Sequence, residues 1–171
     1  MGRIADRLSE LGLELPKPFA PPPGVEFPFD LVHTSGGLAY ISGHLPVDGA
    51  EVLVTGRVGG ELDVERGYEA ARLTGLSIFA SLEQELGDLD RVTSWVKALG
   101  LVQCAPGFDK PPAVINGFTD LVLEVWGDPA GRHARSAIGA AQLPFDVPVE
   151  VEAIVEVQPP PSSATRPGAA G

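Results

Sequence analysis

RHARSAIGAAQLPFDVPVEVEAIVEV, residues 132–157, is the stretch from which the fold is read. Its second half alternates. Val149, Val151, Ala153, Val155 and Val157 fall on one face, and Glu150, Glu152 and Glu156 on the other. That is the period of a half-buried strand. Residues 133–142 read as a second strand, so Arg135 and Glu150 are expected on two neighbouring, otherwise apolar strands. Two arginines and a histidine gather within Arg132–Arg135 in a chain of net charge −11. Such a cluster suits an anion site; a solvated strand end with a cross-strand ion pair is the alternative reading.

Upstream, residues 1–15 space Ile4, Leu8, Leu11 and Leu15 as one face of a short helix. Pro16, Pro18 and Pro21–Pro23 then impose an extended arm. Residues 29–35 and 38–45 read as strands joined at Gly36-Gly37, a tight-hairpin signal. Residues 51–55 read as a third short strand. A long helix is expected from about Asp63, a plausible N-cap, to Leu86, with Gly87 as its stop. Residues 92–104 read as a strand, and about Pro112 to Trp126 as a second long helix with proline in its first turn.

The order of three strands, helix, strand, helix and two strands predicts an α+β single domain, a mixed β-sheet with two helices packed on one face. The other face, carrying Glu150 and Glu152, must meet solvent, a ligand or a partner subunit. Residues 1–24 form the expected helix and arm, 25–158 the domain, and 159–171 a Pro/Ser/Ala/Gly-rich tail expected to be disordered.

Composition narrows the function. Three lysines and nine arginines with no basic stripe argue against a nucleic-acid partner. No apolar run reaches the length of a membrane span, and no signal-peptide pattern is evident in residues 1–16. The single cysteine, Cys104, fits a reducing cytoplasm. His33, His44 and His133 have no metal-ligand spacing, so no metal site is expected. Ser42 is not in a nucleophile elbow, and Gly56, Gly59 and Gly60 make no phosphate loop. What remains is Arg135, Glu150, Ser42, backbone around Gly43, and Asn116, either a ligand hydrogen-bonder or a capping residue. Phe27 and Phe29 line a pocket or belong to the core. The set suits a small carboxylate: arginine offers it two parallel donors, and a nearby glutamate can activate water.

SGHLP at Ser42–Pro46, Asn116 in the second long helix, HARSAIGAAQLP at His133–Pro144 and PVEVEAIVEV at Pro148–Val157 resemble the RidA (YjgF) enamine/imine deaminase family, also known as endoribonuclease L-PSP-like. The proline-bearing arm resembles a RidA-like subgroup. The resemblance covers about residues 25–158 and implies a chorismate-mutase-like fold, assembled as a homotrimer with ligand clefts between subunits. It implies hydrolysis of 2-imino or enamine acids to 2-keto acids and ammonia, without a cofactor. Arg135 would clamp the carboxylate and Glu150 position the water. Ser42, Gly43, Asn116, Phe29 and Ala137 would line the substrate site. Ala137 stands where the family often has cysteine. Val25–Phe29 supplies phenylalanine where many members place a tyrosine, and His44 replaces a frequent glutamine, which would put a titratable group near the cleft mouth. The other readings are a non-catalytic trimer binding small carboxylates, a specialised pathway enzyme reusing the cleft, and, least favoured by the acidic charge, a ribonuclease.

Overall fold

The computed structural model describes residues 2–159; the expected tail, from residue 160 on, lies outside them. Helix α1 spans Arg3–Glu10, shorter than its apolar spacing suggests, because the chain turns at Leu11-Gly12. Leu11, Leu13 and Leu15 still pack on the core from outside the helix. The arm that follows is tied by backbone to a small hairpin: Ala20 N–H donates to Gly49 O at 3.2 Å, and Gly49 N–H to Lys17 O at 3.0 Å.

Strands β1 (Val32–Ser35) and β2 (Leu38–His44) form the expected hairpin. Gly36 and Gly37 both take positive φ, 60° and 81°, which only a glycine pair supplies cheaply and which matches strand twist. The third strand is corrected. β3 (Val47–Asp48) and β4 (Glu51–Val52) pair only with each other, outside the main sheet. Pro46 interrupts the chain after β2, and a tight Gly49-Ala50 turn leaves two residues a side.

Helix α2 runs Val64–Leu86, with the Asp63 carboxylate accepting from Arg66 N–H at 2.8 Å and Gly87 closing it in the left-handed region. Then come β5 (Val92–Gln103), α3 (Pro111–Trp126), β6 (Ala134–Ala140) and β7 (Val149–Val157). The main sheet is ordered β1-β2-β7-β5-β6; β5 and β6 are parallel and the other pairs antiparallel. The expectation that β6 and β7 are neighbours is therefore overturned: β5 lies between them. Residues 141–148 carry the chain past the end of β5, turning through Phe145 and Asp146 at φ 55° and 58°. The buried Gln103 side chain clamps that turn, donating to Asp146 Oδ1 at 2.6 Å and accepting from Leu143 N–H at 2.7 Å.

The core lies between the sheet and helices α2 and α3. Phe79, Trp95, Phe118 and Trp126 meet edge to face, with centroids 4.8–5.8 Å apart. The helices touch backbone to backbone at Gly117, where a Cβ would stand 2.0 Å from Tyr68 O. Among the described residues, the opposite face of the sheet carries no helix layer. It presents Tyr40 and Ile138, 43% and 52% exposed, and half-buried Leu99, Leu101 and Ile154.

A candidate site in two halves

The register decides where the site residues point. Arg135 pairs with Ala98, which pairs with Ala153; both alanines are buried beneath the helices. Glu150 pairs with Leu101, which pairs with Ile138 on the open face. Paired residues share a face, so Arg135 and Glu150 lie on opposite faces and make no ion pair. The cross-strand pair offered as an alternative does not form within one chain.

The Arg135 half is built on β6 and α3. Nη1 donates to Asn116 Oδ1 at 3.0 Å and to Thr119 Oγ1 at 2.9 Å; Nη2 makes a longer contact to Pro112 O at 3.4 Å. Both Nη1 hydrogens are thereby used. The Nε–H and one Nη2–H, the parallel pair suited to a carboxylate, have no partner among the described residues. No carboxylate neutralises this guanidinium among them either. Asn116 thus holds Arg135, and Ala137 lies two residues on along the same face, half-buried. The expected cation cluster divides: Arg132 turns outward to Asp128, its Nη2 2.6 Å from Oδ2, and half-buried His133 is pushed below its ordinary pKa by burial, with Arg135 adding repulsion.

The Glu150 half is on the open face. β2 bulges between Ile41 and His44, which brings the Gly43 backbone over β7. A Cβ on Gly43 would lie 2.0 Å from Glu150 Oε1, so only glycine leaves the carboxylate its place. No group among the described residues hydrogen-bonds that carboxylate. Burial, and then Glu152, raise its pKa above the ordinary carboxylate value. The Ser42 hydroxyl is spent on Asp30 O at 2.7 Å, so in one chain Ser42 fixes the bulge. Beside it lies an open-face hollow of about 440 Å³ walled by Tyr40, Ser42, Lys97, Ser136 and Glu152.

His44 is not at a cleft mouth. It is fully buried, with Nδ1–H donating to Ser42 O at 2.7 Å and Nε2 accepting from Ser81 Oγ at 2.8 Å. Burial lowers its pKa to about 4. Phe29, 53% exposed, stacks on Phe27 at 5.1 Å. With Phe19 and Phe27 it walls a separate hollow of about 440 Å³ between β1 and the end of α2. The sheet order puts that hollow at the β1 edge and Arg135 at the β6 edge, so one chain does not bring Phe29 to Arg135.

Sequence reading missed Thr119, and saw His133 only as a member of the cation cluster, not as a partner of Thr119. Thr119 Oγ1 and His133 Nε2 are 3.3 Å apart, and His133 Nδ1 is 2.8 Å from Gly131 O. Helical i, i+3 spacing from Asn116 and strand i, i−2 spacing from Arg135 were the available signals.

A family model described as "YjgF/chorismate_mutase-like, putative endoribonuclease" matches residues 5–156. Protein TCP17 of Trypanosoma cruzi is 41% identical over 156 residues, 91% of this chain and 95% of that one. Atu1372 of Agrobacterium tumefaciens, a solved structure of unknown function, is 39% identical at TM-score 0.79, covering 90% of this chain and 91% of that one. A Shewanella oneidensis MR-1 structure with the same endoribonuclease designation is 30% identical at TM-score 0.81, covering 90% and 99%.

Proposed function

The chain belongs to the YjgF/chorismate-mutase-like family, and from that premise we propose that it hydrolyses 2-imino acids, with their enamine tautomers, to 2-keto acids and ammonia. The observation that carries the reading is the unspent Nε/Nη2 edge of Arg135, held by Asn116 and Thr119 with no carboxylate paired to it among the described residues. Arg135 clamps the substrate carboxylate and so orients the adjacent C=N carbon. Water attacks that carbon as Glu150 takes its proton, and the C=N electrons pass to nitrogen. Glu150 returns that proton to nitrogen, then takes the proton of the new hydroxyl as the C–N bond breaks; ammonia leaves from the carbonyl so formed and carries the proton away from Glu150 as ammonium. A carboxylate raised above its ordinary pKa and free of hydrogen bonds among the described residues suits that shuttle.

The two halves of the site face different sides of one sheet, so a complete site draws Arg135 from one copy and Glu150 from another. The uncovered apolar sheet face supports assembly, and a homotrimer with clefts between subunits is the form proposed. In that assembly Phe29, Ser42 and Gly43 stand on the Glu150 side of the cleft, and Ala137 and Asn116 on the Arg135 side. Net charge −11 gives RNA no electrostatic foothold.

The test is release of ammonia and keto acid from enzymatically generated 2-imino acids with alanine-, leucine- and aromatic-type side chains. Wild type should accelerate release, and Arg135→Ala and Glu150→Gln should abolish the acceleration. An unaccelerated wild type, or an Arg135→Ala variant with near-full activity, refutes the reading.

A further inference from the structure

We infer that Thr119 and His133 are positioning residues that aim the Arg135 clamp, acting through a directed hydrogen-bond relay. The inference rests on the proposed role of Arg135 and extends it to two residues that touch no substrate.

The polarity of the relay follows from donor counting. Arg135 has only donors, so Thr119 Oγ1 must accept from Nη1 at 2.9 Å. The Gly131 carbonyl has only lone pairs, so His133 Nδ1 must carry the proton that reaches it at 2.8 Å. A neutral imidazole with hydrogen on Nδ1 leaves Nε2 as an acceptor, and the Thr119 hydroxyl proton, 3.3 Å away, points to it. Each member thus fixes the next: Gly131 fixes the tautomer, the tautomer fixes the hydroxyl rotor, and the rotor turns a lone pair toward Arg135.

The surroundings keep the relay in one state. His133 packs against Phe118 at 5.7 Å and Trp95 at 6.4 Å, aromatic rings that exclude water and restrict the imidazole. Thr119 is β-branched, half-buried and on a helix, which limits its χ1. With Asn116 holding the other Nη1 hydrogen, the guanidinium plane is set by two acceptors one helical turn apart on α3. Its Nε/Nη2 edge is then presented in one orientation. Without Thr119 the plane would rest on Asn116 and the longer 3.4 Å contact to Pro112 O, a looser hold.

Thr119→Val keeps the shape and removes the acceptor. KM for a 2-imino acid should rise roughly ten-fold, the loss of one hydrogen bond to a charged group, while kcat changes less than about two-fold. Thr119→Ser should restore KM. His133→Phe, sized for the aromatic setting, should raise KM in the native background and not in Thr119→Val, since the relay is already cut there. Long-range proton–nitrogen NMR of the imidazole at pH 7 should show His133 with hydrogen on Nδ1. Unchanged KM in Thr119→Val, additive effects of the two substitutions, or a proton on Nε2 overturns the inference. If wild type hydrolyses no imine, the proposed reaction fails, and the spectrum, which needs no substrate, decides the relay by itself.

Discussion

Arg135 and Glu150 face opposite sides of one sheet, with β5 between the strands that carry them. Arg135 is fastened to α3, and Glu150 lies under the β2 bulge on the face opposite α2 and α3. Flexing side chains cannot bring them together, because the sheet itself stands between them. Either they never act on one molecule, or they act from different copies of the chain.

That alternative is decided by mixing. Arg135→Ala and Glu150→Gln are each inactive alone if both groups are needed. In assemblies formed from equal amounts of both, a site drawing arginine from one copy and glutamate from another is intact with probability one half times one half. Co-refolded mixtures should therefore recover about a quarter of wild-type activity per site. A site within one chain would recover none, so an inactive mixture of well-assembled protein rules out the shared site.

The acid limb of kcat should report Glu150. Burial first, and the Glu152 charge second, disfavour its ionised form. A bound carboxylate cancels the Arg135 charge, leaving those two effects in control. The base must be ionised, so activity falls as pH drops through a pKa above the ordinary 4.5. Glu152→Gln removes the repulsion, and its kcat–pH profile should move to lower pH with little change at the plateau. An unmoved profile would mean that another group limits the reaction in acid.

Acid should also unfold the chain through His44. Its folded pKa of about 4 lies below the ordinary 6.5, so the unfolded chain binds the extra proton. The stabilisation from keeping His44 neutral is complete above pH 6.5 and is lost as pH falls towards 4. A shift of that size corresponds to about 3 kcal/mol. His44→Gln retains a donor for Ser42 O and an acceptor for Ser81 without titrating. Urea midpoints at pH 7 and pH 4.5 should differ clearly less in His44→Gln than in wild type; equal differences would remove His44 from the account.

The local signals in the sequence were strong where chemistry is local. The Gly36-Gly37 hairpin, the Asp63 and Gly87 helix ends and the β7 alternation are all present, and the motif resemblance placed the family. Lateral strand order was not legible, because it depends on a turn through Phe145 and Asp146 held by a distant Gln103. His44 looked like a cleft residue because its burial depends on Ser81, 37 residues away. Thr119 and His133 acquire meaning only when α3 lies against β6. Arg135 and Glu150 were legible as residues, whereas the sheet between them was not.

Two glycines separate loss of function from loss of fold. At Gly43 a Cβ would meet the end of the flexible Glu150 side chain, 2.0 Å from Oε1. The chain can give way there by swinging the carboxylate aside, which misplaces the base by about an ångström. Gly43→Ala should lose about a hundred-fold in kcat with a melting temperature close to wild type. At Gly117 a Cβ would meet the backbone carbonyl of Tyr68, also at 2.0 Å. No rotamer relieves that contact, so α2 and α3 must separate, loosening the Phe79–Trp126 packing and the Tyr68–Asp120 hydrogen bond between them. Gly117→Ala should cost about 1–3 kcal/mol or more, read as a lowered melting temperature in calorimetry. A Gly43→Ala variant with full kcat would show that Glu150 is not the base, whatever its effect on stability.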